Sequence, residues 1–288
     1  MLYGFDAFSP KEIAEKVDTL GVTKARLPLL SMVMLGILAG AFIGLGGLYF
    51  ALVKSDATFS FATGQVLGGL TFSLGLLLVV VAGAELFTGN NLLAMAWADK
   101  KITTGELLKN WAVVCGANFV GAVGLAVLVF LSGHANLNNG AIADVYLNIA
   151  AAKCNLPFWT AFFRGMLCNV LVCMAVWMAL AGRSVIDKAV AIVFPISAFV
   201  AAGFEHSIAN MYFIPLAMLL QASGEASAAA GAITWLGFIS NLIPVILGNL
   251  VGGSVLVGLI YHLIYLRGAH HEPSAKNTQS GAGDGSRD

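Results

Sequence analysis

Charge is what this 288-residue sequence has least of. Only 10% of its residues are Asp, Glu, Lys or Arg, against roughly a quarter in a soluble domain. The formal net charge is zero, so nothing in the overall balance points to nucleic acid or to a strongly charged partner. The four cysteines, Cys115, Cys154, Cys168 and Cys173, contain no C-x-x-C pair, and three lie in apolar runs where cysteine behaves as a small hydrophobe. A disulfide framework, a metal centre and a bound cofactor are therefore not expected. The opening stretch, MLYGFDAFSPKEIAEKV, mixes acidic and basic residues and is not expected to be a cleavable signal peptide. Two enzyme signatures are also missing. The segment EHSIAN lacks the second histidine of H-E-x-x-H, and no G-x-S-x-G appears. An enzyme is not expected.

What is present is apolar length. Hydrophobic residues make up 59% of the chain and the mean hydropathy is +0.87, which places it among polytopic membrane proteins. A span needs about 20 mostly apolar residues. Six stretches qualify, near residues 27–53, 65–98, 111–131, 157–180, 189–220 and 233–266. Six spans put both ends of the chain on one side, and that side then holds 12 of the 15 Lys and Arg residues. By the bias of basic residues toward the cytoplasm, both termini are expected there. The organisation that follows is a cytoplasmic amphipathic segment over 1–26, a membrane channel domain over 27–266 and a disordered tail over 267–288. In the first segment, Ser9-Pro10-Lys11-Glu12 reads as a capping box with proline in the first turn. Ile13, Val17 and Leu20 then fall on one face. A surface helix is the first reading and a gate the alternative.

Two octets interrupt the apolar spans. GAELFTGN, from Gly83, lies in the second and GFEHSIAN, from Gly203, in the fifth, both of the form Gly-x-Glu-x-x-x-x-Asn. Their neighbours echo as well, with NFVG at Asn118 in span three and NLVG at Asn249 in span six. Spans one to three thus resemble spans four to six. An odd number of spans per repeat makes the second half return upside down, giving two inverted three-helix repeats. Ionisable groups in a membrane usually face a protein interior or an aqueous path. Glycine beside them lets a helix break where a cavity or protein satisfies the freed backbone. Helices two and five are therefore expected to be discontinuous, aided by Gly83, Gly89 and Gly203, with both breaks meeting near mid-membrane.

Glu85 and Glu205 occupy equivalent positions and, with Asn90 and Asn210, read as ties for broken backbone rather than substrate ligands. His206 has no echo, because Leu86 stands opposite. A lone histidine is often a satisfied core residue, but a break beside it favours a place on a pathway. Thr88 offers a hydroxyl from the other break, and Asn169 is a further polar candidate in span four. Phe72, Leu76, Leu86, Phe87 and Phe199 suit hydrophobic constrictions, with plain packing the competing reading for each. Lys153 either draws anions to a mouth or is a solvated loop lysine. Arg164 could snorkel, pair with a carboxylate or face a vestibule.

These residues resemble the formate/nitrite transporter family, most specifically in AELFTGN, CNVLVCMAVWMALAGRS and GFEHSIANM, with further likeness from FDAFSPKEIA to GLIYHLIYL. The resemblance implies an all-α, aquaporin-like protomer with broken helices two and five, assembled as a homopentamer with a pore in each protomer. It implies small monovalent anions as substrates, namely formate, nitrite, hydrosulfide and weak acids such as acetate or lactate. The family's central histidine matches His206 and its loop threonine Thr88. The constriction residues match Phe72, Leu76, Leu86, Phe87 and Phe199, and Asn169 and Lys153 match pathway positions. The N-terminal segment, SLGL and RSVIDKA look like the formate channels, whereas ELFTGN and Arg164 look closer to the nitrite branch. The expectation is a formate channel of the bacterial cytoplasmic (inner) membrane. A nitrite channel of the same family and a neutral-solute channel of the ammonia or glycerol kind are the alternatives.

Overall fold

A computed structural model describes residues 7–224 and 233–267, so the tail expected over 267–288 lies, apart from Arg267, outside the described residues. Helix α1 (Pro10–Ala25) starts where the sequence places it. Ser9 and Glu12 form the reciprocal capping box, with Pro10 in the first turn. The Ser9 backbone N–H is the main reason the Glu12 carboxyl sits below its ordinary value of 4.5. A lowered carboxylate pKa stabilises the folded form above that ordinary value. The cap is therefore in place at neutral pH and is expected to be lost as pH falls below about 4.5. The buried face of α1 differs from the expected one. Ile13 and Val17 are buried with Ala14, Asp18, Gly21 and Ala25, while Leu20 is exposed.

Among the described residues, five helical stretches are long and apolar enough to cross a membrane: α2 (Leu29–Lys54), Phe61–Gly83, α7 (Thr104–Leu131), α9 (Phe158–Ala181) and Trp235–Tyr265. Phe61–Gly83 comprises α3 (Phe61–Phe72), α4 (Leu74–Leu77) and a π-helical turn, Leu78–Gly83. Trp235–Tyr265 comprises α12 (Trp235–Leu250), a π-helical Val251–Leu259 and α13 (Ile260–Tyr265). The remaining apolar segments are cut short. After Gly83 the chain is extended to Leu86, then continues as α5 (Phe87–Asn90), a 3-10 turn and α6 (Ala94–Ala98). Helix α10 (Val185–Ala201) likewise stops before α11 (Ser207–Ala222). The 189–220 stretch is thus two half-length helices rather than one span. Each interruption begins at a glycine in the left-handed region, Gly83 at φ 89° and Gly203 at φ 70°, a conformation other residues adopt at a cost. Gly89, expected to help, lies inside α5. Helix α8 (Ala141–Cys154) has no counterpart among the sequence expectations; its Tyr146 is buried and hydrogen-bonded through its hydroxyl to Tyr212 at 2.9 Å.

Small residues set how close the long helices approach. A Cβ on Gly121 would lie 1.8 Å from the Ile37 carbonyl oxygen, and one on Gly252 2.1 Å from that of Met166. Without a strong hydrophobic drive between helices in lipid, such close packing is a main source of association. The α2–α7 pair and the pair of α9 with the Trp235–Tyr265 stretch are thereby locked alike. Gly121→Ala is expected to lower stability by about 1–3 kcal/mol, the usual cost of overpacking. Thermal unfolding of the detergent-solubilised protein checks this, and an unchanged midpoint would contradict the packing argument.

Candidate functional site

The two breaks are held by matching sets of polar groups. At the first, Asn118 Nδ2 donates to the Gly36 and Glu85 carbonyls (2.7 and 2.8 Å), while its Oδ1 accepts from Phe87 N–H at 2.9 Å. At the second, Asn249 Nδ2 donates to the Gly165 and Glu205 carbonyls (2.7 and 3.0 Å), and its Oδ1 accepts from Ser207 N–H at 3.0 Å. Broken backbone inside a membrane must find such partners. One asparagine per break supplies both a donor and an acceptor.

The glutamates are matched too. Glu85 accepts from Lys24 Nζ at 2.9 Å and from Asn90 Nδ2 at 2.7 Å. Glu205 accepts from Lys153 Nζ at 2.9 Å and from Asn210 Nδ2 at 2.7 Å. Behind them, Asn90 donates to Asn110, which donates to the Lys24 carbonyl. Asn210 donates to Asn241, which donates to the Lys153 carbonyl. Lys153 closes the last turn of α8 and is only 15% exposed, so it is a paired cation rather than a solvated loop lysine. Lys24, Asn110 and Asn241 were not among the sequence candidates. A signal existed: Asn110 precedes Asn118 by the same eight residues that separate Asn241 from Asn249.

Between the breaks stand Thr88 and His206, both buried, with Thr88 Oγ1 3.0 Å from His206 Nε2. His206 is also the N-cap of α11, where its Nδ1 accepts from Ala209 N–H at 3.2 Å. That contact decides the tautomer. An Nδ1 that accepts carries no proton, so the neutral ring is protonated at Nε2 and donates to Thr88 Oγ1. The threonine hydroxyl keeps its own proton to donate elsewhere. Asn169 Nδ2 lies 2.7–3.2 Å from three acceptors, the Thr88 and Asn249 carbonyls and Asn91 Oδ1. It therefore braces α5 against α9 and α12 and touches Thr88 rather than the histidine ring.

Two cavities border the breaks, one lined by residues 83–86 and the other by residues 203–206. One, of about 490 Å³, is lined by Lys24, Glu85, Leu76 and Leu86. The other, of about 320 Å³, is lined by Lys153, Glu205, Phe72, Phe199 and His206. Phe72 and Phe199 meet edge to face with centroids 5.8 Å apart, and Phe199 stacks on His206 at 5.9 Å. Phe87, Thr88 and Asn169 line neither cavity. Both cavities have largely apolar walls, and His206, hydrogen-bonded to Thr88, stands on the wall of the second. This arrangement suits a small anion that can shed water and take up a hydrogen bond.

Comparison with known proteins agrees over almost the whole chain. A family described as formate/nitrite transporter matches residues 11–263. This chain belongs to the formate/nitrite transporter family. Among curated members of that family, the formate channel FocA of Escherichia coli (strain K12) is 42% identical over 278 residues, covering 93% of this chain and 98% of the relative. FocA of Haemophilus influenzae is 36% identical, covering 92% and 96%. Of solved structures, an FNT family ion channel superposes with a TM-score of 0.79 at 31% identity, covering 88% of this chain and 98% of that one. A pentameric formate channel with formate bound superposes at 0.76 and 38% identity, covering 83% and 98%. As a member of the formate/nitrite transporter family, the chain is a multi-pass membrane transport protein.

Proposed function

We propose that this transporter conducts small monovalent anions, formate first, through a pore in each protomer of a homopentamer. Its architecture is read as six membrane-crossing elements in two inverted three-helix repeats, with the paired half-helices forming the second and fifth. The one-to-one match of Lys24–Glu85–Asn90–Asn110–Asn118 with Lys153–Glu205–Asn210–Asn241–Asn249 supports that reading. The chain is assigned to the bacterial cytoplasmic membrane with both termini cytoplasmic. The 490 Å³ cavity beside Lys24 is then the inner vestibule and the 320 Å³ cavity beside Lys153 the outer.

The observation that carries the function is the Thr88–His206 hydrogen bond between the two apolar throats. An anion leaving water for such a throat faces a penalty of several kcal/mol even after relaxation. Thr88 Oγ–H, and His206 Nε2–H once turned from the threonine, are donors placed where that penalty peaks. The N-terminus of α11 adds positive dipole at the same point. Leu76 and Leu86 on the inner side and Phe72 and Phe199 on the outer side act as constrictions that exclude hydrated ions. Glu85 and Glu205 pin the breaks.

Proteoliposomes are expected to take up labelled formate, with ammonia and glycerol permeation no faster than in protein-free vesicles. Glycerol uptake without formate uptake would replace this reading by a neutral-solute channel. Nitrite is the second anion to test, because Arg164, whose basic side chain looks closer to the nitrite branch, lines the outer vestibule. Leu76→Ala and Phe199→Ala are each expected to raise leak and admit larger anions. Unchanged selectivity in both variants would reduce these side chains to packing.

A further inference from the structure

The two vestibules differ in charge. The inner one is lined by one cation and one carboxylate, Lys24 and Glu85, which pair with each other. The outer one is lined by Lys54, Lys153 and Arg164 against the single carboxylate of Glu205. Lys153 is paired with Glu205 at 2.9 Å. Lys54 Nζ donates to Gln65 Oε1 at 2.9 Å, and Gln65 donates onward to the Ala201 carbonyl at 3.2 Å. The ammonium is thereby fixed in place by a neutral acceptor that leaves its charge unbalanced. Arg164 uses its backbone carbonyl to accept from Glu205 N–H at 3.2 Å. Among the described residues no carboxylate pairs with its guanidinium. Among the described residues, the outer mouth thus carries two uncompensated positive charges on the wall of one cavity, and the inner mouth carries none.

We propose that Lys54 and Arg164 form a binding site for divalent oxyanions in the outer vestibule, and that an anion held there blocks passage from the outside only. This rests on the channel reading above. A guanidinium offers paired N–H donors to an oxyanion, and low-dielectric walls focus the field of both cations on whatever enters. A divalent anion gains from both charges. It cannot follow a monovalent one past Phe72 and Phe199, because the cost of desolvating an ion rises with the square of its charge. It therefore stays in the mouth and excludes the permeant anion. The balanced inner vestibule offers a divalent anion no such gain, so the block has a side.

Sulfate is the probe. Formate uptake is measured in right-side-out and inside-out membrane vesicles, with chloride replacing sulfate at constant ionic strength. Sulfate is expected to slow uptake several-fold in right-side-out vesicles and to leave inside-out vesicles unaffected. In Arg164→Gln and in the Lys54→Gln/Arg164→Gln double variant, the sulfate concentration for half block is expected to rise about tenfold or more, because a tenfold change is about 1.4 kcal/mol and a unit charge a few ångströms away is worth at least that near a protein surface. Each variant is scored against its own unblocked flux. Block of equal strength from both sides, no block, or block surviving in Arg164→Gln would overturn the proposal. Arg164→Gln removes no side-chain hydrogen bond, so it carries the test if the double variant fails to assemble. Equilibrium dialysis of labelled sulfate against the purified protein separates the two ideas. Sulfate held by the wild type and released by Arg164→Gln stands even if formate proves not to be the substrate, whereas formate flux without sulfate binding ends this proposal alone.

Discussion

His206→Phe is expected to flatten the pH dependence of formate uptake and to cut uptake at least tenfold, while the oligomer stays folded. Phenylalanine keeps the ring that stacks on Phe199 at 5.9 Å but loses both nitrogens. The Ala209 N–H forfeits its cap, a loss of about 1 kcal/mol, which a buried helix tolerates. What disappears is the donor to Thr88 and the one titratable group between the throats. Histidine is suited to that position because its ordinary pKa of about 6.5 lets modest surroundings change its charge. Protonating Nδ1 would set it against the Ala209 N–H, so an approaching anion and the cap compete for the state of the ring. His206→Asn separates the roles: asparagine caps a helix and offers an N–H but does not titrate. It is expected to conduct without pH dependence. Uptake measured across pH 5 to 8 in both variants decides the matter, and a His206→Phe protein with wild-type flux throughout would end the proposed role.

Asn249→Ala is expected to abolish assembly of the folded protein. The side chain satisfies three buried backbone groups, the Gly165 and Glu205 carbonyls and the Ser207 N–H. Leaving a buried polar group unpaired costs about 1–3 kcal/mol, and three such losses approach the whole stability of a typical domain. Asn118→Ala strips the same three kinds of group from the first break and is expected to fail alike. Size-exclusion profiles of the solubilised variants report this directly. A monodisperse Asn249→Ala oligomer would mean that water replaces the asparagine and that the break is wet.

Much of the frame was legible in residue order alone, for reasons of solvent. A chain this poor in charge has to place its apolar runs in lipid. Glycine two residues before glutamate within such a run marks where a helix stops, because the left-handed conformations of Gly83 and Gly203 suit few other residues. The Ser9 to Glu12 cap was readable for the same local reason, its partners being three residues apart. The buried face of α1 was not. Leu20 fits the helical period but lines the inner cavity, while Asp18, which does not fit it, is buried and pairs with Lys101.

The sequence by itself determined the apolar runs, the two breaks and the echo between halves, since each depends on a neighbour within a few residues or on contact with lipid. Only the tertiary structure decided which groups complete the breaks. Lys24 reaches Glu85 across 61 positions and Lys153 reaches Glu205 across 52, and no local pattern encodes such a meeting. It also decided the proton on His206, through one backbone N–H on α11, and the charge of each mouth, through which lysine finds a carboxylate and which does not. Pairing at a distance is a property of packed helices, so the chemistry around the two breaks was fixed only when they came together.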